Sequence, residues 1–410
     1  MKQLPRGLWV LLAANVVIAL GYGLIAPALP IFASDFGVGV TAASVVVSAF
    51  AMMRLAFAPA TGRLVTKLGE RRIYLTGLLI VALSTLACAF AQDYWQLLVF
   101  RAAGGIGSTM FSVSAMALLI RLAPPQIRGR ASGYYSAGFL VGNLAGPLVG
   151  TALVDFGLRV PFVVYAIALL IAAAVVAFAM PPAPPPVTGS TEHAPKPAAG
   201  FFEALRWPEY RAIIASNFAQ GWASIGVRVA IVPLFVEQSL GESARWAGIV
   251  LACYAAGNIV AIVVSGRLSD RFGRRPVMIP GLIIAAASTL ALGWSPSIYV
   301  VLALTAVSGI GSGLFAPTHQ AALGDLLAER ERGGSALAAY GMASDLGAVS
   351  GPLAAGLIAD RWGYGPAFAV TGGVLVVALV LWLAAADTAR SRVVTTNSAA
   401  TSDDPIRRSR

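Results

Sequence analysis

The chain has 410 residues, of which 58% are hydrophobic and 11% charged, with a mean hydropathy of +0.79 and a formal net charge of +11. Soluble globular proteins carry about 25% charged residues, so this chain lacks the polar groups needed to cover a water-soluble globule. Lipid must be its main solvent. A run of about 20 apolar residues crosses a bilayer as a helix, and a helix satisfies its backbone polar groups internally.

From Gly7 to Ser34 no residue is charged. This run is longer than a signal-peptide core and is not followed by a small-residue cleavage site, so it reads as a retained first helix. Hydropathy then predicts twelve spans, at 8–32, 42–61, 73–91, 96–120, 131–153, 161–180, 212–235, 244–265, 277–294, 298–320, 335–358 and 366–386. The longest interruption, 181–211, opens with PPAPPPVTGSTEHAPKPAAG. Proline-rich polar sequence of this kind reads as a flexible linker. Residues 387–410 read as a disordered polar tail. The expected organisation is an N-terminal six-helix bundle at 1–180 and a C-terminal bundle at 212–386.

With both termini on one side, 23 of the 29 Lys and Arg fall in the termini and alternate loops, three in the opposite loops and three inside spans. That is the positive-inside distribution, which predicts cytoplasmic termini, linker and tail in a plasma (cytoplasmic) membrane. It also accounts for the basic charge without nucleic acid. Cys88 and Cys253 lie inside predicted spans, so neither a disulfide framework nor a metal site is expected.

The two halves repeat at an offset of about 204 residues. GRL at 62–64 returns at 266–268, GGIGSTMF at 104–111 returns as SGIGSGLF at 308–315, and GNLAGPLVG at 142–150 returns as GAVSGPLAA at 347–355. Asp155 and Asp360 keep the same step. Parallel six-helix repeats place a binding site near the midplane, between the halves.

Three motifs give the chain a close resemblance to the major facilitator superfamily and, within it, to the twelve-span drug:proton antiporters. Residues 266–275, GRLSDRFGRR, match the loop signature G-x-L-a-D-R-x-G-R-R in full; its first copy has Thr66 in place of the acid, Lys67 for the first arginine and Glu70 for the next. Arg101 and Gly105 match R-x-x-x-G in span four. Gly133, Gly142, Gly146, Pro147 and Gly150 match the glycine–proline motif of span five, with Thr151 where a further glycine is usual. The resemblance implies an all-α integral membrane protein, twelve helices in two pseudo-symmetric bundles, and monomeric transport of a small molecule by alternating access. The proton would be the coupling ion, and no other cofactor is implied. The span-five motif resembles that of exporters, which favours efflux over an uptake symporter or a non-transporting receptor on the same fold.

Glycines at 62, 69, 266 and 273 are expected to allow tight turns in the loops after spans two and eight. The resemblance places Asp270, flanked by Arg271 and Arg274, opposite the start of span five near Arg128 and Arg130, as a latch on the cytoplasmic side. The alternative is a charge cluster that only holds the loop in the cytoplasm. Thr66 brings no charge, so an asymmetric gate is expected. In span five, and in its repeat at Gly347, Gly351 and Pro352, small residues offer a smooth face on which helices approach closely, and Pro147 removes a backbone hydrogen bond. That face serves either a sliding seal or ordinary packing.

Four ionisable residues fall inside spans: Arg54, Arg101, Arg228 and Asp345. Each costs roughly 2.5–3.5 kcal/mol at a helix centre, so each is expected to face protein or water and to have a use. Arg54 and Asp345 lie about 12 and 15 Å from the same membrane side at 1.5 Å per residue. The resemblance makes spans two and eleven neighbours across the halves. The pair therefore reads either as a proton-coupling switch with Asp345 as carrier or as a fixed salt bridge. The resemblance implies that Arg101 assists proton transfer or holds a nearby acid; the alternative is a structural contact with 92–95. The resemblance implies that spans one, four, seven and ten line the cavity, so Arg228 on span seven reads as a partner for an anionic substrate group or water, or as an arginine bonded to backbone carbonyls. Tyr22, Phe111, Trp222 and Phe315, with Met52 and Met53, are candidate cavity surface, adaptable and apolar; His319 reads as interfacial. No G-x4-G-K-[ST] phosphate loop occurs, and two histidines with scattered acids make an enzyme a poor reading.

Overall fold

The computed structural model of the protein describes residues 5–124, 127–180, 201–330 and 334–388. These residues are helical almost throughout and contain no strand. Twelve helices are long and apolar enough to cross a membrane: α1 (Arg6–Ser34), α2 (Val40–Leu68), α3 (Glu70–Ala89), α4 (Tyr94–Leu122), α5 (Arg128–Val154), α6 (Val160–Ala179), α7 (Pro208–Ser239), α8 (Ala244–Phe272), α9 (Arg275–Leu292), α10 (Ile298–Leu327), α11 (Ala336–Trp362) and α12 (Tyr364–Ala384). Residues 181–200 of the expected linker and 389–410 of the expected tail lie outside the described residues. A short helix at Phe201–Ala204 precedes α7, which begins earlier than its apolar run because Pro208 occupies the first turn, where its missing N–H costs nothing.

Each half packs in the same pattern. In the first, α1 lies on α5, α2 on α4, and α3 on α4 and α6; in the second, α7 lies on α11, α8 on α10, and α9 on α10 and α12. The halves meet through α2 against α11 and α5 against α8. The repeat extends to single atoms. Asn15 Nδ2 donates to the Tyr135 carbonyl at 2.7 Å, and Asn217 Nδ2 to the Tyr340 carbonyl at 2.5 Å. A β-carbon on Gly23 would meet Pro147 Cδ at 2.8 Å, and one on Gly226 would meet Pro352 Cδ at 2.7 Å.

The glycine–proline face is therefore buried within each half. Gly142, Gly146 and Gly150 lie against backbone atoms of α1 from Val16 to Leu24, and Gly347 and Gly351 against α7 at Phe218 and Trp222. Ordinary close packing, not a sliding seal, is what these positions do in this conformation. Gly133 is different: nothing stands within 4 Å of a β-carbon there. Gly146→Leu should cost about 1–3 kcal/mol or prevent assembly, because overpacking at backbone contact cannot relax. Gly133→Leu should be tolerated. Thermal unfolding in detergent compares the two directly, and equal stability would refute the packing assignment.

Two helices are irregular. The first span breaks between Arg6–Ile25 and Ala28–Ser34 at Pro27. The seventh alternates between α-turns and two wider π-helical segments, Gly221–Val227 and Phe235–Ser239, with Pro233 between them. Apolar periodicity gave no sign of these π segments, which commonly mark functional positions.

Candidate functional site

The signature at 266–275 is mostly not a loop. Residues through Phe272 continue α8, and only Gly273 and Arg274 form the turn into α9. Gly62 and Gly266 sit in helix with open space around them. The turn glycines are Gly69 (φ +86°) and Gly273 (φ +101°), whose left-handed backbone disfavours any residue with a β-carbon. The helices run on because a charged, solvated turn costs them nothing once they leave lipid.

Arg274 organises this end of the second half. Its guanidinium donates to Asp325 at 2.9 Å, Asp270 at 2.5 Å and Ser269 at 2.8 Å, and its backbone N–H to Asp387 at 3.1 Å. Desolvation weakens the hold of Arg274 on its proton, but the Asp270 and Asp325 carboxylates outweigh this and raise its pKa. The first half builds the same contact with the charges exchanged. Arg121 donates to Glu70 at 2.7 Å, and Glu70 and Arg121 stand at the repeat positions of Arg274 and Asp325. The departure at Glu70 in the first copy is thus a compensated inversion. Glu70→Arg should lower stability by about 2 kcal/mol through loss of a charge-assisted bond, and adding Arg121→Asp should restore most of it. Failure of the double variant to recover its unfolding temperature would show that the two sites are not equivalent.

Asp270 does not reach the start of α5 in this conformation. It is exposed and bonded to Arg274, while Arg128 donates to the Ala123 carbonyl and Arg130 to the Tyr134 hydroxyl. At the end of the molecule that carries these clusters, termed the basic face, no hydrogen bond or ion pair joins the halves among the described residues. The hydrogen bonds and ion pairs between described residues of the two halves lie toward the opposite face. There Asp360 at the end of α11 caps the start of α2: its carboxylate accepts from the backbone N–H of Val40 and of Thr41, each at 2.8 Å, and from the Thr41 hydroxyl at 2.5 Å. Asp155 at the end of α5 pairs with Arg245 at the start of α8, at 3.4 Å. Deeper in, the Ser48 hydroxyl donates to the Val349 carbonyl, Gly356 lies on Ser44, and Gly248 lies on Thr151. Thr151 fits in place of a glycine because the small residue stands on α8 instead. Burial raises the Asp35 carboxyl, and its charge acts on Glu237 of the other half, a like-charge interaction that works against closure.

Arg54 and Asp345 are both half-buried at the α2–α11 seam, on the open side of Ser48. Arg54 is the charge that acts on Asp345, yet no ion pair joins them within 4 Å among the described residues, and Arg54 Nε is buried without a hydrogen-bond partner. The two are apposed but apart. Arg101 is buried with its guanidinium 4.1 Å over the Phe50 ring, and its electrostatic neighbours are Tyr22, Cys88 and Tyr165 rather than an acid or the 92–95 segment. Gly105 allows this by letting α4 touch the Phe50 backbone.

Of the expected cavity residues, Met52 is 50% exposed, and Tyr22 and Met53 are half-buried. Phe111 (8% exposed), Trp222 (9%) and Phe315 (0%) do not form cavity surface in this conformation. Phe111 and Trp222 pack into one hydrophobic core and Phe315 into another. Of their helices α7 touches the other half, and all three side chains sit inside their own half. His319 is likewise not interfacial: it is 2% exposed, between the rings of Phe315 and Tyr340. Arg228 is buried with its Cζ 2.8 Å from the centroid of the Tyr254 ring, not bonded along a row of carbonyls.

Similarity to known proteins agrees with this architecture. Multidrug resistance protein 1 of Bacillus subtilis (strain 168) is 26% identical over 85% of this chain and 89% of its own length. The class H tetracycline resistance protein of Pasteurella multocida is 26% identical over 75% and 78%, and the synaptic vesicular amine transporter of Bos taurus 27% identical over 77% and 60%. Among solved structures, an inward-facing, unoccupied bacterial homologue of the human lysosomal transporter Spinster superposes with a TM-score of 0.78, at 18% identity over 95% of this chain and 98% of that one. A D-xylose–proton symporter gives 0.75, at 18% identity over 93% and 98%. The family model described as Major Facilitator Superfamily matches residues 11–227 and again 213–408. Twelve spans, a twofold repeat and that match across both halves make this multi-pass membrane protein a member of the major facilitator superfamily.

Proposed function

We propose that the protein exports small organic molecules in exchange for protons. Its basic face would lie in the cytoplasm, so that the conformation described is open inward. The observation that carries this reading is the placement of Arg54 and Asp345 on opposite halves of a seam that is sealed on one side and parted on the other. A carboxylate beside an arginine favours the ionised state, and the same carboxylate drawn into an apolar setting favours the protonated one. Rocking of the halves would therefore change proton affinity, which is the coupling an antiporter needs. Multidrug and tetracycline resistance proteins among its relatives support organic substrates and efflux. The apolar, methionine-bearing surface near Met52 and Met53 supports substrates of varied shape.

The test is a substrate screen in inside-out vesicles, with an imposed pH gradient and without one. Uptake into the vesicles that depends on the gradient supports antiport. Gradient-driven movement in the opposite direction would make the protein a symporter, and absence of flux for every compound would favour a non-transporting role.

A further inference from the structure

We propose that the second half holds a resident small monovalent anion, of the halide class, against Arg228. The site is independent of the direction and coupling of transport. Arg228 follows directly on the π-helical segment Gly221–Val227 and is 8% exposed. Its guanidinium stacks on Tyr254, but Nη1 is buried with no hydrogen-bond partner. Arg228 lines a cavity formed by α7, α9, α10 and α12, whose other polar walls are Thr289, Thr305, Ser308 and Thr371. No carboxylate lines it.

The Arg228 guanidinium fixes the sign of the ligand, and the hydroxyls can donate to it. Thr305 Oγ1 is buried and unpartnered, so its proton is free. Thr289 and Ser308 share one hydrogen bond at 3.4 Å, which leaves one of their two protons free. Thr371 donates to the Ala367 carbonyl and accepts from Trp222 Nε1, so it offers no proton to the cavity. An arginine N–H and up to two hydroxyl protons are thus available along one space whose lining holds no anionic acceptor. Water can accept these bonds, but it leaves the guanidinium charge uncompensated in a low-dielectric interior, where an unpaired ion is costly. A halide accepts all of the bonds and neutralises the charge. The space open to the centre of a water-sized sphere is about 20 Å³, enough for roughly one such sphere and too small for an organic substrate.

Thermal unfolding of the purified full chain in detergent, at constant ionic strength, tests this with sodium chloride, bromide, acetate or gluconate as the salt. Chloride and bromide should raise the midpoint saturably over gluconate. Arg228→Gln should abolish the difference, and Thr305→Val, which keeps shape and loses one donor, should weaken apparent halide affinity about tenfold. If Arg228→Gln does not fold, Thr305→Val and the anomalous signal of bromide in crystals still decide the matter. Equal midpoints in halide and gluconate, an undiminished halide effect in Thr305→Val, or stabilisation by acetate alone would each overturn the assignment.

Discussion

Asp345→Asn is expected to abolish gradient-driven transport, lowering it by about two orders of magnitude or more, while exchange of substrate across the membrane without a gradient persists. The distinction matters because a folding defect would remove both. Asp345 lies about 15 Å in from the basic end of its helix at 1.5 Å per residue, half-buried, with Arg54 as the charge that acts on it. Asparagine keeps the shape and the hydrogen-bonding capacity but cannot carry a proton. On the proposed coupling, Arg54→Lys should retain most of it and Arg54→Gln little, since Lys keeps the positive charge that acts on Asp345. Transport by Asp345→Asn that still followed the imposed pH gradient would place the proton elsewhere.

The second large effect concerns the sealed face. Asp360→Ala removes a carboxylate that accepts three hydrogen bonds from the first turn of α2, across the two halves. Helix capping of this kind contributes about 0.5–2 kcal/mol, so the closed state should lose roughly a factor of ten in population. A cysteine at Ser44, buried at the same seam, in a Cys88→Ser and Cys253→Ser background, should then react about tenfold faster with a membrane-impermeant thiol reagent added from that side. Asp155→Ala should do much less, because its pairing with Arg245 is exposed and long at 3.4 Å and such pairs contribute under about 1 kcal/mol. Equal labelling of the parent and Asp360→Ala would mean that the contact does not restrain opening.

Length and hydropathy were enough to place all twelve helices, because lipid imposes a minimum apolar length that sequence displays openly. Helix ends were less legible. Both α2 and α8 extend past their apolar runs into the charged motifs, since a helix gains from continuing in water wherever no breaker intervenes. Gly69 and Gly273 mark the true ends. The irregular turns of α7 leave no periodic trace, because a π segment changes hydrogen-bond register without changing composition. Phe111 and Phe315 lie in cores and not on cavity surface for a related reason: assigning a helix to the cavity does not say which of its faces turns inward. Asp360 was visible as a repeat of Asp155, but its acceptor role depends on where the start of a distant helix falls. The inverted pair of Glu70 with Arg121 was the most recoverable omission. Comparing the two halves position by position at span four and span ten would have exposed the exchange.

That exchange has a consequence for biogenesis. Two nearly identical bundles made in succession, as one polypeptide, invite each half to dock a segment of the other. Opposite polarity at equivalent places works against it: the turn after α8 brought onto α4 would set Arg274 against Arg121, and the turn after α2 brought onto α10 would set Glu70 against Asp325. A duplicated membrane protein can thereby mark its first copy from its second with two side chains, each pair matched only within its own half.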